Sequence, residues 1–281
     1  MPTVLRVSAR NASFQQWQAL LVNRRKRQRA GEFVVQGVRP ITLALRHGWP
    51  VRALIYDAGR PLSKWAAAIV DDTSPAAAGA QRVAMAGDLL RELGEKDEES
   101  PELIAVAALP ADDYSRIPVG PDFLGVVLDR PASPGNIGTV VRSADAFGAA
   151  GVIVTGHGAD PYDPKAVRAS TGSLFAVPVV RDDRPAGVLE WAQAVRRSGV
   201  PLTVLGTDER GDVEVAGQDL TGPALLVVGN ETTGLSEAWR AACDRIVRIP
   251  ITGSASSLNA ASAATVLLYE AARQRATSSQ E

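Results

Sequence analysis

With 281 residues, 46% of them apolar and 22% charged, and a net charge of −1, the chain falls outside the disordered class and is long enough for two domains of roughly 100–150 residues. One cysteine, Cys243, excludes an intrachain disulfide framework, and with only His47 and His157 beside it no metal site is expected. No run approaches the roughly 18 apolar residues of a membrane span, and the first thirty residues lack a hydrophobic signal core, so a cytoplasmic protein away from membranes is expected.

In chain order, residues 13–29 read as one helix opened by a Ser13 cap, with Phe14, Trp17 and Leu21 on one side. It ends in a basic run, Arg24, Arg25, Lys26, Arg27 and Arg29, and Gly31 closes it. An alternation follows: strand 33–36, helix 39–47, strand 51–56, helix 63–70, strand 82–85, helix 86–93 and strand 103–107. The stretch 94–101 reads as an acidic loop. A Pro-, Asp- and Gly-rich linker at 111–121 separates an expected domain 1–110 from a second, 122–281. There the strands are short, largely apolar runs at 124–128, 152–155, 176–180, 202–205, 224–228 and 246–249, of the kind buried on both faces. Helical patterns at 137–147, 165–173, 186–197, 236–242 and 258–275 lie between or after them. The expected class is therefore α/β with a mostly parallel sheet.

Charge is uneven. Seven Lys/Arg against one acid precede residue 37, and seven acids lie between Asp88 and Glu102. Even bulk charge can conceal a positive face, which is what a phosphate backbone senses. The cluster at 24–29 reads either as a solvated helix end, where cations suit the C-terminus, or as a phosphate contact, and the scarcity of nearby acids favours the contact.

Three segments lie just after apolar strands, where parallel sheets bind ligands. The first, 129–148, places Asn136 at an expected helix N-cap after a Pro-Gly turn and Arg142 off the buried stripe of Ile137, Val140, Val141, Ala144 and Phe147. The second, 227–237, has Gly229 and Gly234 for tight backbone, Glu231 as its internal charge and Ser236 as a candidate cap. The third, 248–270, is a hydroxyl-rich loop entering an alanine-rich helix, with Ser256 or Ser257 as candidate cap. On spacing alone, a capping Asn with a surface Arg is the commoner reading of the first segment. Glu231 reads equally as a carboxylate on backbone amides at a helix start. Cys243 reads as an inert core thiol and His157, between Gly156 and Gly158, as a loop residue.

Together the segments resemble the three motifs of the SpoU/TrmH family of RNA ribose 2′-O-methyltransferases. The matching residues are Asn136, Gly138, Arg142, Ala144, Phe147 and Gly148; then Gly229, Asn230, Glu231, Gly234, Leu235 and Ser236; then Ile249, Pro250, Gly253, Ser257, Leu258 and Asn259. Arg168 to Gly172 also looks like a family segment, and 24–37 is similar to the family's substrate-binding domain, with Gln36 where an acid is frequent. The combination outweighs the capping reading.

The resemblance implies a SPOUT-type sheet with a deep trefoil knot, a rare exception to unknotted chains, beside a small N-terminal α/β RNA-binding domain. It implies S-adenosylmethionine held largely by backbone at Leu205, Gly206, Thr207, Gly229, Asn230, Ile249, Ile251, Ser257 and Leu258. It assigns catalysis to Arg142, with Asn136, Glu231, Ser257 and Asn259 orienting the ribose and Arg142. A guanidinium is a poor base, so Arg142 either relays its proton to an RNA phosphate or stays charged beside the developing alkoxide; the second is physically favoured. No GxGxxG follows a strand, so a Rossmann methyltransferase lacks its loop. The family forms homodimers, and a face of the last helix with Leu258, Ala261, Thr265 and Leu268 is expected to carry the contact. A full N-terminal domain resembles the ribosomal-RNA members, some of which confer antibiotic resistance, avilamycin resistance included. The alternatives are a transfer-RNA enzyme, a base-nitrogen methyltransferase and a non-catalytic RNA-binding or ribosome-assembly protein. Intact Asn136, Arg142, Glu231 and Asn259 speak against the last.

Overall fold

The computed structural model describes residues 4–95 and 100–278. Residues 96–99 of the expected acidic loop and 279–281 of the polar tail lie outside the described residues. The chain divides into two units, one of residues up to Pro110 together with Tyr162–Ala176, the other of Ala111–Pro161 with Val177–Glu281. The division is less simple than a cut at 111–121: fifteen residues from the later half belong to the first unit.

The first unit runs β1 (Val4–Val7), α1 (Ala12–Val22), α2 (Arg24–Ala30), β2 (Glu32–Gln36), α3 (Val38–Arg46), β3 (Val51–Asp57), α4 (Lys64–Val70), β4 (Gln81–Met85), α5 (Gly87–Gly94) and β5 (Leu103–Ala108). Its five strands form a mixed sheet in the order β1-β4-β3-β5-β2. The expected single helix over 13–29 is two helices. Asn11, not Ser13, caps the first by accepting from Phe14 N (3.0 Å). Asn23 then leaves helical geometry, at φ −131° and ψ 106°, and accepts from Lys26 N (3.1 Å), opening α2. The basic run is thus a helix of its own, with Arg24, Arg25 and Lys26 at its N-terminal end, where the dipole disfavours cations. The segment Tyr162–Ala176 joins this unit through aromatic packing. Phe33, Trp49, Tyr162 and Phe175 form one cluster with ring centroids 5.0–6.5 Å apart. The Trp49 indole also donates to Phe175 O (3.1 Å).

The second unit contains β6 (Leu124–Asp129), α6 (Pro134–Ala146) and β7 (Gly151–Thr155); α7 (Pro164–Ser170) lies in the segment that joins the first unit. It continues with β8 (Val179–Asp182), α8 (Pro185–Arg197), β9 (Thr203–Thr207), β10 (Val213–Glu214), β11 (Ala224–Val228), α9 (Glu237–Ala242), β12 (Arg245–Arg248) and α10 (Ala260–Ser278). Seven strands, every pair parallel, lie in the order β10-β12-β9-β11-β6-β7-β8. β6, β7 and β11 are buried at every position, which accounts for their continuous apolar runs. The chain leaves β6 toward β8, then returns to the other side of β6 for β9 and β11. That reversal puts the loops after β6, β9, β11 and β12 at one carboxyl edge.

α10 packs on α6, and this overturns the expected contact face. Ala261 and Leu268 are buried inside the chain, and Thr265 Oγ1 lies 2.7 Å from Ser143 Oγ of α6. Small alanines let the two helices approach, so this face is spent within one protomer. The exposed large apolar side chains of α10 are Val266 and Tyr269, and Tyr269 meets Phe147 edge-on at 6.0 Å. Burial, with Asp244 nearby, pushes the Cys243 thiol up to about 12. Among the described residues no helix is long and apolar enough to cross a membrane.

Candidate active site

β6 ends in Asp129, whose buried carboxylate accepts from Ser236 N (2.7 Å) and from Arg130 Nε and Nη2 (3.2 and 3.1 Å). Arg130 also donates to Gly234 O (3.0 Å), and its own carbonyl accepts from Asn230 Nδ2 (2.7 Å). Two loops a hundred residues apart are thereby tied into one platform. Sequence reasoning passed over Asp129 and Arg130; their only signal was a charged pair at the carboxyl end of an apolar strand.

The helix that follows is capped by Ser133, whose Oγ accepts from Asn136 N (3.4 Å), with Pro134 in its first turn. Asn136 is therefore not the cap. Its side chain, released from that duty, donates to Glu231 Oε1 (2.7 Å) and accepts from Asn259 Nδ2 (3.3 Å). Asn259, rather than Ser256 or Ser257, caps α10 by accepting from Ala261 N (2.9 Å) and Ser262 N (3.4 Å).

Glu231 stands at the tip of a closed loop. Asn230 and Gly234 pair through both backbone bonds (3.0 Å each), and Asn230 Oδ1 accepts from Thr232 N and Thr233 N. A side chain at Gly229 would meet the backbone of Gly234 and Leu235 at 2.3–2.4 Å, so only glycine lets the loop close. Burial alone would raise the Glu231 pKa. The Ala132 amide (3.0 Å), the Asn136 side chain and further backbone amides outweigh it and hold the carboxyl below its usual value. Glu231 does bond backbone at a helix start, and it holds Asn136 as well.

Beside this network lies a cavity of about 450 Å³ at the ends of β9, β11 and β12. Thr207, Gly229, Asn230, Ile249, Ile251, Ser257 and Leu258 line it, so seven of the nine expected cofactor residues come together. Leu205 and Gly206 do not; they are buried in β9 behind it, where Gly206 has no room for a side chain against Ile246, Leu235 and Cys243. Asp208, which closes the expected cofactor loop 205–208, lines the cavity too, and so does its ion-pair partner Arg240, which escaped sequence reasoning. The Thr207 hydroxyl is buried there without a hydrogen-bond partner. An orphaned polar atom in a cavity of ligand size fits a polar, nucleoside-sized cofactor.

Arg142 is not brought to this network. It is exposed, with no hydrogen bond or ion pair among the described residues. Six positions after Asn136 on α6, it lies roughly 9 Å further along the axis and about 120° around it. Ser257 is exposed on the cavity rim. In α2, Arg25, Lys26 and Arg29 are exposed and Arg24 is half-buried. Arg27 is corrected: it is buried, donates to Leu20 O (2.8 Å) and Leu21 O (3.3 Å), and pairs with Asp163 (3.4 Å). Its charge holds α1, α2 and α7 together and is not available to RNA.

Known proteins match along the chain. The SpoU L30e-like domain matches residues 11–105 and the SpoU rRNA Methylase family matches residues 124–269. A 23S rRNA (uridine(2479)-2′-O)-methyltransferase of Streptomyces viridochromogenes is 60% identical over 98% of this chain and 94% of its own length. The crystal structure of the SpoU methyltransferase AviRb from that organism, in complex with AdoMet, aligns with a TM-score of 0.91 at 61% identity, covering 95% of this chain and 99% of that one. An AdoMet-bound rRNA methyltransferase from Sinorhizobium meliloti aligns with a TM-score of 0.83 at 27% identity, covering 96% and 98%.

Proposed function

The chain belongs to the SpoU rRNA methylase family, and from that premise we propose that it methylates a ribose 2′-hydroxyl of 23S ribosomal RNA, with S-adenosylmethionine as donor. The observation that carries the reading is the hydrogen-bonded line Glu231–Asn136–Asn259 along the cavity that holds the orphaned Thr207 hydroxyl. A line of satisfied polar groups built from three distant segments serves orientation; as mere structure it would need no cavity beside it. The whole-length similarity to a 23S rRNA enzyme favours ribosomal over transfer RNA.

In this reading Thr207, Gly229, Asn230, Ile249, Ile251, Ser257 and Leu258 hold the cofactor, which supplies an electrophilic methyl on a sulfonium. The ribose oxygen forms the new bond to that methyl as the carbon–sulfur bond breaks, and the hydroxyl proton leaves to an RNA phosphate or solvent. Glu231, held ionised below its usual pKa, is a weak base and serves to fix Asn136. Arg142, which stands exposed on α6 apart from that line, is the charged donor this reading assigns to the oxygen as it becomes anionic. The loops around β11 and β12 take the trefoil knot expected of the family. Transfer of labelled methyl from cofactor to 23S rRNA, located by primer extension at low dNTP, tests the reading; no incorporation into any RNA would end it. The cytoplasmic location and the resistance role belong to the same proposal, and expression in an avilamycin-sensitive host should raise the inhibitory concentration.

The homodimer is proposed on the exposed face of α10. Tyr269→Asp, a charge on the apolar patch with Val266 and Phe147, should convert a dimer to a monomer by light scattering and lower activity with it. An unchanged dimeric mass would place the contact elsewhere.

RNA grip is assigned to α2. Replacing Arg25, Lys26 and Arg29 with Gln should reduce the log–log salt slope of RNA binding by roughly 0.7–0.9 per lost phosphate contact, without changing cofactor affinity. An unaltered slope would make the run a solvated helix. Arg27→Gln belongs to a different class. It should cost about 1.5–3 kcal/mol of stability through its lost charged hydrogen bonds, read as a lower Tm.

A further inference from the structure

We infer that a second cavity, formed by the loops after β6, β7, β8 and β11, is a nucleobase subsite that receives the base of the nucleotide being methylated. The inference rests on the proposed ribose methylation and extends it to what the enzyme reads.

The cavity is about 770 Å³ and lies wholly within the second unit, at the carboxyl edge of the parallel sheet. It shares Asn230 with the cofactor cavity, and it shares Ala132, whose amide holds Glu231 Oε2, with the ribose-orienting line. A ribose on that line therefore has this cavity within one nucleotide's reach. Its walls offer both hydrogen-bond senses. The exposed Asp183 carboxylate accepts, while the imidazole of His157 and the hydroxyl of Ser236 can do either. A base edge needs that mixture, and an imidazole also gives a flat face for stacking on an unpaired base.

Two features mark the site as built. Ser236 Oγ is buried without a hydrogen-bond partner, and although Ser236 stands at the start of α9 its side chain makes no capping bond. Arg130, at φ 53°, holds a left-handed backbone that non-glycine residues rarely adopt. The strain is sustained by close loop packing. A side chain at Gly156 would meet Arg130 Cγ at 2.6 Å, and one at Gly158 would meet Pro131 Cδ at 2.7 Å. Only glycines therefore fit on either side of His157, which is exposed and lines the cavity.

The test uses the full chain and three separate variants, Ser236→Ala, His157→Ala and Asp183→Asn. Each is measured for Tm, for cofactor Kd by calorimetry, for the KM of a 23S rRNA fragment, and for the identity of the methylated nucleoside by mass spectrometry. A hydroxyl that bonds nothing in the protein loses nothing as alanine, so Ser236→Ala should keep its Tm and cofactor Kd. Its KM for RNA should rise at least about fivefold, the equivalent of one lost hydrogen bond, and methylation should spread to the riboses of nucleotides carrying other bases. The two exposed variants carry the same expectation without disturbing the packed wall. If wild type methylates RNA and all three variants match it in KM and in product nucleoside, this inference falls alone. If wild type methylates no RNA, the family reading falls and takes the subsite with it.

Discussion

Arg142→Ala is expected to lower methyl transfer by roughly 10²–10³-fold, the usual cost of one donor aimed at a developing oxyanion, while cofactor affinity stays unchanged. The separation follows from placement. Arg142 is exposed on α6 and does not line the cofactor cavity, so its loss leaves that cavity as it is. Arg142→Lys should fail nearly as badly, because a point charge does not replace a planar fork that spans ribose oxygen and phosphate. The stability of both variants should match wild type, since the guanidinium has no partner to lose among the described residues. Single-turnover rates with calorimetric cofactor titration check this. Near-normal turnover in the lysine variant would show that charge alone suffices and that the fork geometry is irrelevant.

How much of this was legible in the sequence depends on the range of the interaction. The buried strands of the second unit could be read directly because burial on both faces makes their composition continuous. β1 and β10 were missed. Four residues with Arg6 inside and two residues with no apolar run give period-based reading nothing to hold. The break at Asn23 was visible as an Asn before a charged run, yet the helical propensity of Arg and Lys hid it. Cap assignments failed by a few residues at α1, α6 and α10, because several Ser and Asn compete at each start and only the fold chooses. At α6 the error mattered, since giving the cap to Ser133 is what frees Asn136 for Glu231.

Contacts between distant segments were not legible from spacing. Nothing in the sequence pairs Asp129 with Ser236, buries Arg27 against Asp163, or sends Tyr162 and Phe175 to the first unit. The α10 face shows the same limit in reverse. A stripe of Ala261, Thr265 and Leu268 announces a helix contact without saying whose helix, and α6 of the same chain takes it.

The largest expected effect of a single-atom change is at Glu231. Glu231→Gln should lower kcat by about 10²-fold, in the range of a lost preorganising group, with only a modest fall in Tm. The reason is polarity. An ionised carboxylate only accepts, so it receives Ala132 N on one oxygen and turns the Asn136 amide so that Nδ2 faces the other. Asn136 Oδ1 must then face Asn259, which turns Nδ2 toward it and leaves Asn259 Oδ1 to cap α10. One charge thus orients two amides and a helix start. A glutamine offers one acceptor and one donor for two incoming donors, so either the Ala132 amide or the Asn136 amide loses its partner. If Asn136 flips to compensate, it presents Nδ2 to the Nδ2 of Asn259. The same logic sets the acid response. Because the folded pKa of Glu231 lies below its ordinary 4.5, its contribution to stability is complete above that value and is lost as pH falls through the folded pKa. The glutamine variant should lack that part of the acid transition. A Glu231→Gln enzyme with wild-type kcat and an unchanged acid limb would mean that the line of amides is oriented by something other than this carboxylate.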